Sequence, residues 1–239
     1  MKRETQNILL ILLGGALVKI AVNGDYLRYV KPAQQPWIIA GGAVMVLLGA
    51  VAIVRDLVVS RKAVADEHDG HAHSARPAWL LLVPVLAVFL IAPPALGADS
   101  VIRTEARAPS SAAVANAAAF PPLPAGNVVP LSVNEFVTRA GWDSAGTLNG
   151  RTVSLTGFVV HTDGSTLLAR LVISCCAADA FPVTVRLRGG QADHLASDAW
   201  IQVTGQVVPG TATKDNSYTP DFAPASLTSV PTPKDPYEY

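Results

Sequence analysis

The sequence predicts a membrane α-helical N-terminal region followed by a small all-β C-terminal domain of the OB-like barrel type. Half of the 239 residues are hydrophobic and 15% are charged, against roughly 25% charged in an ordinary soluble domain. The apolar excess is concentrated in long runs within roughly the first hundred residues. The remainder carries short β-branched segments separated by turn residues, the pattern of an all-β domain.

The membrane region is expected to occupy residues 1–97. A hydrocarbon core about 30 Å thick needs roughly 20 apolar residues of helix to cross it, because backbone polar groups find no partner in lipid. Three segments qualify, at about 8–22, 37–59 and 79–96. The first is apolar apart from Lys19, whose ammonium can extend towards the headgroups. Trp37 suits the interface at the start of the second, and Arg55 lies close to its far end. Pro84 interrupts the third, and Pro93-Pro94 closes it. Lys2 and Arg3 precede the first run as they would in a signal peptide. Val18, Lys19, Ile20 and Val22 nevertheless offer no A-x-A-like cleavage site, so the segment is expected to be retained. Lys2, Arg3, Arg55, Arg61, Lys62 and Arg76 fall on one side of three spans, and Arg28, Lys31, Arg103 and Arg107 on the other. Basic residues accumulate on the cytoplasmic side. The chain is therefore expected to be a multi-pass plasma-membrane protein, in contact with lipid, whose C-terminal domain is extracytoplasmic. The spans hold almost no ionisable residues of the kind that mark an ion path.

Residues 98–130 are rich in Ala, Pro and Ser without a sustained amphipathic period, and read as a linker. Order resumes at Leu131. Ser132 and Glu135 form a capping box, with Leu131 and Phe136 placed for a hydrophobic staple, so a short helix to about Arg139 is expected. Asn149-Gly150 is a turn signal. Segments 151–160, 166–174, 181–188 and 200–208 then fit strands, with a fifth at 225–230 and a helical or irregular stretch at 191–197. Gly157 and Gly205 inside strands predict bulges or sharp bends, which a small closed barrel needs at its corners. Five strands with one insertion suit an OB-like barrel over residues 131–239; an open sandwich is the alternative.

Eighteen Lys and Arg balance eighteen Asp and Glu, so no basic face for nucleic acid is predicted. There is no phosphate-binding Gly-rich loop, no H-E-x-x-H and no G-x-S-x-G, and the chain is not expected to be an enzyme. The two cysteines, Cys175 and Cys176, are adjacent. Neighbouring strand side chains point to opposite faces, so both thiols share one site only if the strand ends or bulges there. In that case Cys175, Cys176 and Asp179 converge as two thiolates and a carboxylate, suited to a transition metal such as zinc, with His161 as a fourth ligand. Two other readings stay open: cysteines that serve as small hydrophobic residues, and a redox pair or strained vicinal disulfide. A second candidate is the loop 66–73, where His68, His71 and His73 stand among acidic residues, a composition that binds transition metals. In a three-span topology the two sites lie on opposite sides of the membrane. His194, between Asp193 and Asp198, reads as a surface residue.

The stretch Cys175-Cys176-Ala177-Ala178-Asp179-Ala180, the later Trp200-Ile201-Gln202-Val203-Thr204-Gly205 strand and the architecture of most of the chain resemble the YcgQ-like permease subunits. These are bacterial membrane proteins with N-terminal membrane helices and a C-terminal domain of unknown function. The resemblance implies a partner, a separate multi-pass permease, and a role as accessory subunit of a membrane permease complex whose tethered β-domain binds a metal ion or small solute. The chain departs from that family in its third apolar run and long Ala/Pro linker, where two membrane helices are the family expectation. The alternative function is a membrane-anchored structural or interaction module with no metal site.

Overall fold

The computed structural model describes residues 3–62, 83, 86–87, 90–91, 94–104, 120–162 and 164–239. The chain divides into two compact units, Met1–Pro94 and Ala95–Tyr239.

In the first unit, α1 (Arg3–Asn23) and α2 (Gln35–Lys62) pack as a helical hairpin. Both are long and apolar enough to cross a membrane, over Thr5–Asn23 and Pro32–Val58. Their crossing depends on small residues. A Cβ on Gly14 would lie 2.7 Å from the Gly42 carbonyl oxygen, and one on Gly42 would lie 2.8 Å from that of Gly14. Close backbone approach of this kind is what helix pairs in lipid rely on, where no hydrophobic drive acts between them. Polar contacts fix the two ends: Asn7 Nδ2 donates to Asp56 Oδ2 at 3.3 Å, and Gln35 Nε2 donates to the Ala21 carbonyl at 3.0 Å. The outer face of α2 exposes Trp37, Leu47, Leu48 and Val54. Most of the third apolar segment, 79–96, lies outside the described residues. Within it Val83, Leu86, Ala87 and Leu90 are helical, and Ile91 N–H donates to the Ala87 carbonyl at 2.8 Å. The His-rich loop 66–73, with His68, His71 and His73, lies outside the described residues.

The second unit contains a seven-stranded sheet. After α3 (Ala98–Arg103) and β1 (Val129–Pro130) comes α4 (Val133–Trp142), followed by β2 (Val153–Thr162), β3 (Ser165–Val172), β4 (Phe181–Leu187), β5 (Trp200–Val208), β6 (Asp221–Ser229) and β7 (Tyr237–Glu238). β2 pairs with β3, β3 with β4, β5 with β6, and β5 with β2, all antiparallel, while β4 pairs with β6 in parallel. Each of these five strands therefore has two partners within the set. β2 makes this possible by changing partner along its length, pairing with β5 from Val153 to Phe158 and with β3 from Phe158 to Thr162. Gly157 stands at that change, where a Cβ would meet the Ala169 carbonyl oxygen at 2.6 Å. The second in-strand glycine marks a bulge. Thr204 pairs with Ser226 and Gly205 with Pro224, which leaves Ala225 without an opposite residue. The stretch 191–197, expected to be helical or irregular, is a series of turns.

α4 closes over the main core, which gathers Val133, Phe136 and Val137 against Leu155, Leu168, Val185, Ile201 and Phe222. Ser132 Oγ accepts the Glu135 N–H at 3.0 Å, as the capping signal requires. The other half of the box is absent, because the Glu135 carboxylate accepts from Arg139 Nε at 3.0 Å instead. The helix start is completed from the far end of the chain: Val133 and Asn134 N–H donate to the two Glu238 carboxylate oxygens at 2.9 and 2.7 Å.

The expected linker at 98–130 is corrected at both ends. Ala98 and Val101 of α3 are buried with Phe158, Val160, Leu171, Ile173 and Tyr237 in a second cluster, which covers the outer face of the β2–β3 hairpin. Ala98 N–H donates to Asp198 Oδ1 at 2.6 Å, and Leu96 N–H donates to Tyr237 Oη at 3.2 Å. At the other end Leu123 packs on the main core, and the Pro121 and Pro124 carbonyls accept from Arg139 and Arg151. Apolar contact and backbone satisfaction therefore extend the β-unit upstream to Ala95, where composition alone indicates a flexible tether.

Candidate functional site

The connection between β3 and β4 carries the cysteines. Val172 pairs with Phe181 in the last register of the hairpin, and Ile173 N–H still donates to the Glu238 carbonyl at 2.9 Å. The chain then leaves the sheet. Asp179 sits at the end of a single 3-10 turn, Ala177–Asp179, and folds its carboxylate back over the loop. Ser174 N–H donates to Oδ1 and Cys175 N–H to Oδ2, both at 2.8 Å, while Asp179 N–H donates to the Cys176 carbonyl at 3.0 Å. The loop is ordered by its own hydrogen bonds.

Because the strand has ended, the alternation that would separate the two thiols no longer applies. Cys175 Sγ and Cys176 Sγ lie 3.6 Å apart, and the two sulfurs and an Asp179 oxygen all fall within 4.8 Å of one another. Cys175 is exposed, and Cys176 and Asp179 are half-buried; both thiols are free. Sequence reasoning chose these three residues as ligands. It did not reveal the second task of Asp179, clamping two backbone N–H groups, which appears only once the turn is formed.

The electrostatics follow from that clamp. The hydrogen bond to Asp179 and the neighbouring Cys176 push the Cys175 thiol up to about 11. Partial burial works to raise Asp179, but the hydrogen bonds from Cys175 and from the Ser174, Cys175 and Cys176 backbone outweigh it and hold the carboxyl below its ordinary value near 3.8. At neutral pH the site is thus a carboxylate beside a protonated Cys175. A reactive cysteine needs the opposite, a thiol stabilised as thiolate by positive surroundings. Replacing the anion tests this directly. Asp179→Asn is expected to raise the alkylation rate of Cys175 by iodoacetamide at pH 8 roughly 10- to 100-fold, measured by mass spectrometry of the Cys175 peptide. An unchanged rate would show that the carboxylate does not control the thiol.

His161 does not join this group. It pairs with Thr166 at the start of β3, and from Thr166 to Val172 the strand runs about 20 Å at roughly 3.3 Å per residue. Its Nε2 donates to the Leu195 carbonyl at 2.7 Å, and Nδ1 lies 3.3 Å from Thr166 Oγ1. The ring is therefore held among its own neighbours at the opposite end of the hairpin. His194 is exposed in the turn before β5.

Fold and site together define an all-β domain with a dithiol and carboxylate loop, following two helices long enough to cross a membrane. The family described as the DUF1980 C-terminal domain matches residues 142–239, which include β2 to β7 and all three converging residues. No curated protein and no solved structure matches the chain.

Proposed function

We propose that the chain is the accessory subunit of a membrane permease complex and that its β-domain binds a transition metal ion through Cys175, Cys176 and Asp179. The observation that carries this reading is the convergence of two sulfurs and a carboxylate oxygen within 4.8 Å on an exposed loop, a donor set suited to a borderline-soft cation. The five strands, each with two partners, support an OB-type barrel as the scaffold, with the bulge at Gly205 as one of its corners. The apolar outer face of α2 supports anchoring in lipid. The distribution of Lys and Arg supports three spans and an extracytoplasmic domain in the plasma membrane. A multi-pass permease as partner rests on the resemblance to YcgQ-like subunits. The competing reading, an interaction module whose cysteines are core, is disfavoured by the exposure of Cys175.

The test is metal binding by the full-length protein in detergent. About one equivalent of zinc is expected to bind and to be lost in Cys175→Ser and in Cys176→Ser, with the denaturant midpoint unchanged. Binding must release the Cys175 proton, so the apparent affinity is expected to rise about tenfold or more per pH unit across the neutral range. A protein that binds no metal at any pH, with both thiols verified as reduced, would remove this reading.

A further inference from the structure

We infer that the Cys175–Cys176–Asp179 loop is an exchange site for a divalent, tetrahedral cation of the zinc class, with three protein ligands and a fourth coordination position left to an incoming ligand. The inference rests on the metal-binding reading above and adds the ion class and the mode of binding.

The sulfur separation distinguishes between coordination geometries. With metal–sulfur bonds of about 2.3 Å, two sulfurs 3.6 Å apart subtend about 103° at the metal, close to the tetrahedral angle of about 109°. A linear bis-thiolate ion with bonds of that length would need the sulfurs about 4.6 Å apart. The third donor acts in the same direction, since an anionic oxygen favours a borderline divalent ion over a soft monovalent one.

The Asp179 carboxylate can serve as a ligand without giving up its clamp. An ionised carboxylate has about four lone-pair sites, and the Ser174, Cys175 and Cys176 N–H groups use three at most, which leaves one for a metal ion. A tetrahedral S–metal–O unit needs a sulfur to oxygen distance of about 3.6 Å, so separations of up to 4.8 Å close if the two cysteine side chains turn together towards the fixed carboxylate, which keeps the sulfur pair at its spacing.

The open position follows from the neighbours. Among the described residues the cluster holds three donors, whereas a closed structural zinc site has four. Of the residues flanking them, Ala177, Ala178 and Ala180 have no donor atoms in their side chains, and the exposed Ser174 offers only a neutral hydroxyl, which is not among the usual protein ligands of zinc. Because the loop is held by hydrogen bonds that need no metal, loading and release leave the fold in place. This separates the site from metal-folded modules, in which removing the ion unfolds the domain.

The experiment uses full-length protein in detergent, loaded with cobalt(II) as a spectroscopic substitute for zinc. Expected are thiolate-to-cobalt charge-transfer bands, the d–d bands of a four-coordinate ion, and a shift of those d–d bands when imidazole is added while the metal stays bound. EDTA is expected to strip the metal within minutes and leave the denaturant midpoint unchanged. Asp179→Asn is expected to weaken zinc binding at least tenfold, and Asp179→Glu, which restores the carboxylate, to recover part of the loss. Absence of binding by cobalt, zinc and copper(I) alike would overturn the metal-binding reading itself. Tight copper(I) binding with zinc and cobalt rejected would overturn the ion class alone. A cobalt spectrum insensitive to imidazole, or metal that survives EDTA for hours, would overturn the open position alone.

Discussion

Glu238→Ala is expected to destabilise the β-domain by about 3–5 kcal/mol, the cost of removing one partner of a buried ion pair. Glu238 is the penultimate residue, yet its side chain is only 10% exposed and its Arg170 partner 9%. Arg170 Nε lies 3.4 Å from Glu238 Oε1, Nη2 donates to the Tyr237 carbonyl at 2.9 Å, and the guanidinium lies 4.9 Å from the Trp200 ring centroid. Loss of the carboxylate leaves this cation buried without its counterion and removes the acceptors for the Val133 and Asn134 N–H groups at the start of α4. The double variant Arg170→Met/Glu238→Met removes both charges and is expected to recover a large part of the loss. Denaturant midpoints, followed by protease protection of the β-domain in full-length protein, provide the measurement. A Glu238→Ala unfolding free energy within about 0.5 kcal/mol of the parent would show that the pair is not closed in solution. Burial pushes the Glu238 carboxyl above its ordinary value near 4.5, against the pull of its N–H donors and Arg170. With the folded value raised, this group's contribution to stability is fully present below the unfolded value and is lost as pH rises through the folded one. The parent should therefore lose stability over a window beginning near pH 4.5, and the double variant should not.

The Glu238 interaction shows where sequence reading stops. Ser132 and Glu135 announce a helix start three residues apart, whereas Glu238 is more than a hundred positions from the N–H groups it caps, and no local pattern encodes that distance. The docked helix Ala98–Arg103 was hidden for a related reason. It buries only Ala98 and Val101, too little to stand out as a period within an Ala-rich stretch, and its partners Leu171 and Tyr237 arrive from distant strands. Strand positions were legible because β-branched runs bounded by turns are a local signal. Phe181 and Trp200 begin strands where the pattern places them, while Asp221 begins the fifth strand four residues before the Ala225 expected. At the candidate site the grouping of Cys175, Cys176 and Asp179 was readable from the Ala-Ala-Asp-Ala strand end. The separation of His161 was not, since it depends on the β2–β3 register, which places His161 opposite Thr166 and thus at the far end from the cysteines.

Gly205→Val is expected to cost about 3 kcal/mol or more, at the upper end of overpacking penalties, because nothing around this glycine can yield cheaply. A Cβ there would collide with the Ala223 carbonyl oxygen and would stand 2.9 Å from both Phe222 Cε1 and Pro224 Cα. Two of these three neighbours are backbone atoms of the paired strand, and the third belongs to a ring at the centre of the main core, edge-on to Phe136 at a centroid distance of 5.5 Å. Relief by moving β6 away is blocked as well, since Phe222 pairs with Val207 on one side and with Leu187 on the other. Asp221 holds the same seam by accepting from Arg188 Nε at 2.8 Å, with Arg186 Nη1 at 3.6 Å from its carboxylate. β6 is held on both edges at Asp221 and Phe222, directly beside the collision, so it cannot move aside cheaply for one residue and the strain should pass into the register of β5 and β6. Gln202→Val on the exposed face of the same strand is the control, expected within about 0.5 kcal/mol of the parent. Equal denaturant midpoints for the two variants would mean that β5 and β6 can separate locally at the Ala225 bulge, and that the five strands do not constrain one another as their pairings imply.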